Sequence, residues 1–261
     1  MGLRVLIKMS SVEFHKFREN INNIDDYTDQ REKIFDNFID QGLPNKRNES
    51  WKYFDLVYKS KEYIKNDISN SEIIVENLEE NNFFYDYADN NLSIEDYLKP
   101  CNFFKGESVV DLNVACGNQI KILDVKHNQN EPIIIKINYN EKNISLPRLI
   151  INIADNIKAK INYVNSSKSG FLNLLVEYNI GNRSELEISR INSSQGLLVE
   201  TNLVFLLNHS NFNMKNLSMP IESSRLQLFS NHIGERSSCS SKTISIPSEN
   251  SNDDILVDNI F

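Results

Sequence analysis

At 261 residues, with 40% hydrophobic and 25% charged residues, the chain has the composition of a globular protein with enough length for a sizeable core. A net charge of -8 with no Lys/Arg run argues against a general nucleic-acid binder, which needs a basic face to displace counterions. The opening MGLRVLIKMSS is too short in apolar residues for a signal peptide, Leu6 stands where a myristoylation motif needs Ser or Thr, and no run approaches a membrane span, so a cytoplasmic protein is expected.

The first elements read as helical. After Ser10 and Ser11, either able to cap, Phe14, Phe17, Ile21 and Ile24 recur at three- and four-residue spacing, and Ile34, Phe35, Phe38 and Ile39 repeat the pattern. Two helices, or one broken helix, are therefore expected, each with an apolar stripe to bury. Gly42 and Pro44 form a stop signal. The stretch that follows, GLPNKRNESWKYFDL from Gly42 to Leu56, holds more than a stop requires: two basic residues, an acid, the single Trp and a Tyr in close order. Its structural expectation is an extended segment in which Trp51 and Tyr53 face one side and plug the first coil of a β region, with Arg47 and Lys52 snorkelling around them.

Between Lys59 and Pro100 the pattern is mixed. A short helix is expected at Ser93 to Leu98, where Ser93 and Asp96 have capping-box-like spacing. The Phe83-Phe84-Tyr85-Asp86-Tyr87 cluster reads as core, because no basic residues interleave it as a base-stacking platform would require. The three cysteines, Cys101, Cys116 and Cys239, are odd in number and widely spaced, and they read as reduced, partly buried thiols.

From about Gln119 the character changes to short alternating runs: Ile133, Ile135 and Ile137; Leu149, Ile151 and Ile153; Leu172, Leu174, Val176 and Tyr178; Leu203, Phe205 and Leu207. A repeat runs through them. The segment starting at Ile153 is echoed from Ile180, more weakly from Leu207, and again from Ile233, at intervals of 27, 27 and 26 residues. A fixed period of this size with strand-like units predicts a parallel β-helix, with Ala154, Gly181 and Gly234 allowing a tight corner. The alternative is a β-sandwich with evenly spaced strands. A further strand is expected through Ile255, Val257 and Ile260, with no capping element after it, which implies either a β-helix incomplete at its C-terminal end or a surface covered by a partner. The expected division is an N-terminal helical and mixed region over 1–100 and a β-helix core over 101–261.

Motifs for familiar chemistry are missing: no phosphate loop, GxSxG, HExxH or GxGxxG is present. The four histidines, His15, His127, His209 and His232, lie far apart; His209 and His232 occupy related places in adjacent coils and read as turn residues rather than a metal site. Asp253 and Asp254 could supply half of a carboxylate pair for a polysaccharide-cleaving β-helix enzyme, but adjacent strand residues point to opposite faces, and a solvated turn is the simpler expectation. No catalytic, cofactor or metal residue is assigned on this basis.

The Gly42 to Leu56 stretch resembles the N-terminal signature of the SufD family, the scaffold subunits of Suf iron–sulfur cluster assembly. The matching residues are Gly42, Leu43, Pro44, Arg47, Glu49, Trp51, Lys52, Tyr53 and Leu56. Further segments agree in order: Asp111-Leu112-Asn113-Val114-Ala115, Glu131-Pro132-Ile133, Pro147-Arg148-Leu149-Ile150-Ile151 and Val257-Asp258-Asn259. Departures are Phe54-Asp55, where Thr or Ser is commoner, and the unusual Asn content of the coils. The resemblance implies a parallel β-helix, a non-catalytic scaffold role, and pairing with a SufB subunit and the ATPase SufC. No cofactor would be held by this chain alone, and an iron–sulfur cluster would be present only transiently in the complex. The family's interface Cys and His and its SufC-docking helices would lie beyond Phe261. Within the family the related SufB is the second choice; outside it, a secreted polysaccharide-acting β-helix enzyme and a stand-alone β-solenoid are the alternatives.

Overall fold

The computed structural model describes residues 14–21, 27–87, 93–104 and 106–260. Ser10, Ser11 and Ile24, expected in the first helix, lie outside them. A 3-10 turn, His15–Phe17, leads into α1 (Arg18–Ile21), followed by α2 (Thr28–Gln41). Phe14, Phe17, Ile21, Ile34, Phe35 and Phe38 are buried, as their spacing requires. Gly42 ends α2 with φ 69°, and its N–H donates to the Phe38 carbonyl at 2.7 Å. The left-handed conformation there is the reason for glycine.

After a 3-10 turn at Glu49–Trp51 come α3 (Leu56–Ser60), β1 (Glu72–Glu76), β2 (Phe83–Asp86), α4 (Ile94–Phe103) and α5 (Ser108–Cys116). The expected short helix at Ser93 to Leu98 is α4, which runs five residues further, through Pro100. Ser93 caps it, accepting the Asp96 N–H at 3.1 Å. Pro100 has no N–H to offer the Asp96 carbonyl, yet the helix persists because the Arg148 guanidinium supplies the missing donor, 2.9 Å away, and also reaches the Tyr97 carbonyl at 2.8 Å. α4 crosses the expected boundary at residue 100.

The remaining chain is β3 (Gln119–Val125), β4 (Ile133–Asn138), β5 (Ile144–Ser145), β6 (Pro147–Ile153), β7 (Lys158–Asn165), β8 (Phe171–Ile180), β9 (Glu185–Asn192), β10 (Leu197–Leu206), β11 (Asn211–Ser218), β12 (Ser223–His232), β13 (Ser238–Ser245) and β14 (Asn252–Ile260). One sheet runs β1-β4-β7-β9-β11-β13, and the other β14-β12-β10-β8-β6-β3-β2, with β5 beside β8. From β6 onward successive strands alternate between sheets, and each pairs in parallel with its counterpart one coil away. The fold is mainly β, a parallel β-solenoid of about five turns behind an N-terminal helical region. Parallel pairing excludes the sandwich. β1 and β2 pair antiparallel with β4 and β3, so part of the mixed region joins the sheets at the start of the solenoid. In the aromatic cluster at 83–87, Phe84, Tyr85 and Tyr87 pack partly buried against the core, as expected, while Phe83 on this edge strand is 48% exposed, and Lys126 and Lys121 lie over the Phe83 and Phe84 rings.

The two sheets differ in what they cover. β7 and β9 alternate buried and exposed residues, while β8 and β10 are buried on both faces. Leu198, Val204 and Leu206 of β10 face the solenoid interior; Leu197, Val199, Leu203 and Phe205 face the helical layer. There Phe103 meets Phe205 with ring centres 5.3 Å apart, and Phe104 meets Phe229 at 4.4 Å. Near-continuous apolar runs in this sheet follow from burying both faces.

The repeat is anchored by a polar turn. Asn156, Arg183, His209 and Arg236, one per coil, all have φ between 54° and 62°. Side chains stack beside them: the Asn182 and Asn208 amides meet the Asp155 carboxylate and Asn182 carbonyl one coil back, at 3.1 Å each, and the Glu235 N–H donates to Asn208 Oδ1 at 3.0 Å. Gly181 and Gly234 stand at the corners as expected; neither is left-handed, and each is small because another backbone passes close by. A Cβ on Gly234 would lie 2.1 Å from the Asn208 nitrogen. Gly234→Ala is therefore expected to lower stability by about 1–3 kcal/mol, read as a lower urea midpoint. An unchanged midpoint would show that the turns can separate freely.

Candidate functional site at the signature segment and the last coil

The signature residues do not plug the first coil. They dock against the last ones. Leu43 and Pro44 are buried, while Arg47, Glu49 and Lys52 are exposed, with Lys52 and Glu49 paired at 3.0 Å. Trp51 is 1% exposed and Tyr53 70%, so they do not share a face; the 3-10 turn rotates Tyr53 outward. Trp51 packs on Phe54, and the Arg225 guanidinium of β12 stacks 4.0 Å from its ring. Arg225 also donates to the Ser50 carbonyl at 2.7 Å and pairs with Asp254 of β14. Three more contacts reach the same coils: Lys59 to Ser223 at 2.7 Å, Tyr63 to Glu222 at 2.5 Å, and the Asn252 amide to the Tyr53 carbonyl at 2.9 Å. Residues 50–63 thus form a strap across the last coils.

Beneath the strap lies Glu107, whose carboxyl is pushed up by burial and only partly held down by Arg225, Gln227 and the Trp51 indole. One turn on, Asp111 is pushed to about 6, chiefly by burial, while hydrogen bonds to the Cys101 thiol and Gln41 act the other way. Asp111 and Cys101 line a cavity of about 510 Å³ between α2, α4 and α5. Because the folded protein holds this proton more tightly than the unfolded chain, the stability linked to Asp111 is full below about pH 4 and is lost as pH rises through 6. Asp111→Asn should accordingly raise stability by on the order of 2 kcal/mol at pH 8 and leave it unchanged at pH 4, in urea melts at both values. A pH-independent difference would remove Asp111 as the titrating group.

β13 and β14 are the outermost strands of their sheets, and among the described residues each pairs on one side only. They carry the inward row Cys239, Ser241 and Thr243 opposite Asp253, Ile255 and Val257. Asp253 and Asp254 are in β14, not in a solvated turn; Asp253 accepts from Ser245 at 2.5 Å, and Asp254 holds Arg225 on the other face. They form no carboxylate pair. His232 ends β12 opposite Leu206, whereas His209 sits in the turn beside Glu235, so register does not bring the two together. Among the described residues no three His, Cys, Asp or Glu side chains gather as metal ligands, and no helix is long and apolar enough to cross a membrane. The three thiols are free, and burial pushes Cys116 up to about 12.

Two buried ion pairs were not legible as pairs. Arg148 meets Glu177 at 2.5 Å beneath α4, and Arg190 meets Glu200 at 2.6 Å inside the solenoid. Glu200 also receives Tyr163 and Asn202 at 3.4 and 3.0 Å, and Arg190 donates to Asn216 at 2.6 Å. The available signal was a single charge inside each of several apolar runs. A groove of about 510 Å³, lined by Lys99, Asp124, Asn152, Asn179 and Phe205, was also unexpected; its floor is the ladder Asp124, Asn152, Asn179, linked at 2.8 Å per step.

No family model matches the chain, and no curated protein matches it.

Proposed function

We propose that this chain is a non-catalytic scaffold subunit of the SufD type, working in iron–sulfur cluster assembly by pairing its solenoid with a SufB-like subunit and cooperating with a SufC-like ATPase. The observation that carries the reading is the Gly42 to Leu56 signature, with Trp51 packed under Arg225 of a parallel β-solenoid, the architecture that the resemblance implies. The parallel solenoid stacks its coils by main-chain pairing, and a SufB-like solenoid can be joined by the same strand-to-strand hydrogen bonds. Any iron–sulfur species is cargo of the complex in this reading. The cytoplasm is the compartment it implies.

The test is co-expression with tagged SufB-like and SufC-like proteins from the same source, followed by affinity purification. The chain should be retained by the SufB-like subunit through washes at moderate salt. Retention by neither partner would remove the assignment.

A further inference from the structure

The solvent face of the sheet built on β7, β9, β11 and β13 carries an apolar row. Register places Val164, Ile191, Leu217 and Ile244 side by side on these four strands. Ile191 is 40% and Ile244 65% exposed, with Val164 and Leu217 half-buried. Past the strand ends Met219 and Ile246 continue the row in the same stacking, and Ile221 and Ile246 are more than half exposed. The neighbouring outward row is Asn162, Ser189, Lys215 and Lys242, and the one beyond it Lys160, Glu187, Asn213 and Ser240, so the sheet itself does not demand aliphatic residues there. Scattered exposed isoleucines need no explanation, but a contiguous patch on the order of 400 Å² is of the size that marks an interaction surface.

Its geometry and flanks select an occupant. Strands lie about 4.8 Å apart, and an α-helix advances about 5.4 Å per turn, so a helix laid across the strands can seat close to one apolar side chain per strand. Within this chain the outer face of the other sheet is already covered by helices. The row's borders are basic although the chain is acidic overall. Lys215 and Lys242 stand two residues before Leu217 and Ile244 on the same face, with Lys215 also meeting Glu187 at 3.2 Å. On the other border Lys168 lines a cleft of about 460 Å³ with Met219 and Ile221.

We infer that this row is a docking surface for an amphipathic α-helix of another protein, apolar on one face and acidic on both flanks. The surface is separate from the free edges of β13 and β14 and does not depend on the scaffold reading.

The test uses the full chain and a fluorescent synthetic helical peptide of about 18 residues, roughly five turns, with leucines on one face and glutamates on the flanks. Anisotropy should show saturable binding that weakens with salt, and that falls at least about tenfold in Ile244→Asp and with lysines in place of the peptide's glutamates. The double variant Lys215→Glu/Lys242→Glu, which leaves the apolar row intact, should reverse the preference between the two peptides. Circular dichroism and urea midpoints establish that each variant is folded. Absence of saturable binding, equal binding of both peptides, or indifference to Ile244→Asp would overturn the inference. So would sedimentation showing self-association that Ile244→Asp abolishes, since the face would then belong to a second copy.

Discussion

Arg190→Leu is expected to destabilise the protein by about 3–5 kcal/mol, because it strands the Glu200 carboxylate in the solenoid interior. Both side chains are at most 2% exposed, and the guanidinium makes three hydrogen bonds to the one carboxylate. Burial alone works against the Arg190 charge, yet Glu200 outweighs it and the guanidinium is held more firmly protonated than usual. The double variant Arg190→Leu/Glu200→Leu should recover part of the loss, since removing both charges also removes the desolvation cost. Urea midpoints of the wild type, both single variants and the double close the cycle. A single-variant cost below about 1 kcal/mol would mean that Glu200 finds water or takes a proton without penalty.

The second large effect concerns the strap. Arg225 is 1% exposed and touches three groups from two segments distant in sequence: the Trp51 ring and Ser50 carbonyl of one, and Asp254 of the other. Arg225→Met keeps an apolar stem under Trp51 but leaves the Ser50 carbonyl without this donor and Asp254 without its cation. The expected cost is about 2–4 kcal/mol, and its location matters more than its size. Amide exchange should accelerate in β14 and in residues 50–63, while β6 and β8 exchange as before, because the lost contacts tie the strap to the last coils alone. Uniform acceleration across all coils would show that the strap is not a local tie but part of one cooperative unit.

The solenoid was legible because its turns repeat. One polar residue per coil must be left-handed, its neighbours stack in ladders, and the period of 26 to 27 residues follows from the length of one coil. The alignment was still one residue off at the weak copy: strand register sets Ile180 against Leu206, not Leu207, because that coil is a residue shorter. Side-chain alternation was read at β4, which faces water on one side, but equally at β6, β8 and β10, which are buried on both faces. It could not reveal that the sheet of β6, β8 and β10 lies under helices, since a doubly buried strand and a buried helix segment both read as apolar runs.

The Gly42 to Leu56 segment stood out in the sequence, but where it docks did not. Its partners are 159 to 199 residues away, and nothing in a local pattern separates docking on the first coil from docking on the last. The expectation that Trp51 and Tyr53 share a face assumed an extended chain; the 3-10 turn at Glu49–Trp51 broke that assumption. Likewise the helix was expected to end at Leu98, and only the distant Arg148 lets α4 continue through Pro100. The docking of Trp51 and the length of α4 were missed for one shared reason. A buried guanidinium, supplied from a strand far along the chain, satisfies carbonyls or covers a ring that the local sequence leaves open.

The central claim, that the chain is a scaffold that pairs its solenoid with a SufB-like partner, is tested most directly by hydrogen exchange of the chain alone and in mixture with that subunit. The account predicts new protection of solenoid strand amides within residues 119–260 on binding, with the helical layer unchanged. Binding that protects the helices but leaves every solenoid strand exchanging as before, or no protection anywhere at saturating partner, would contradict it.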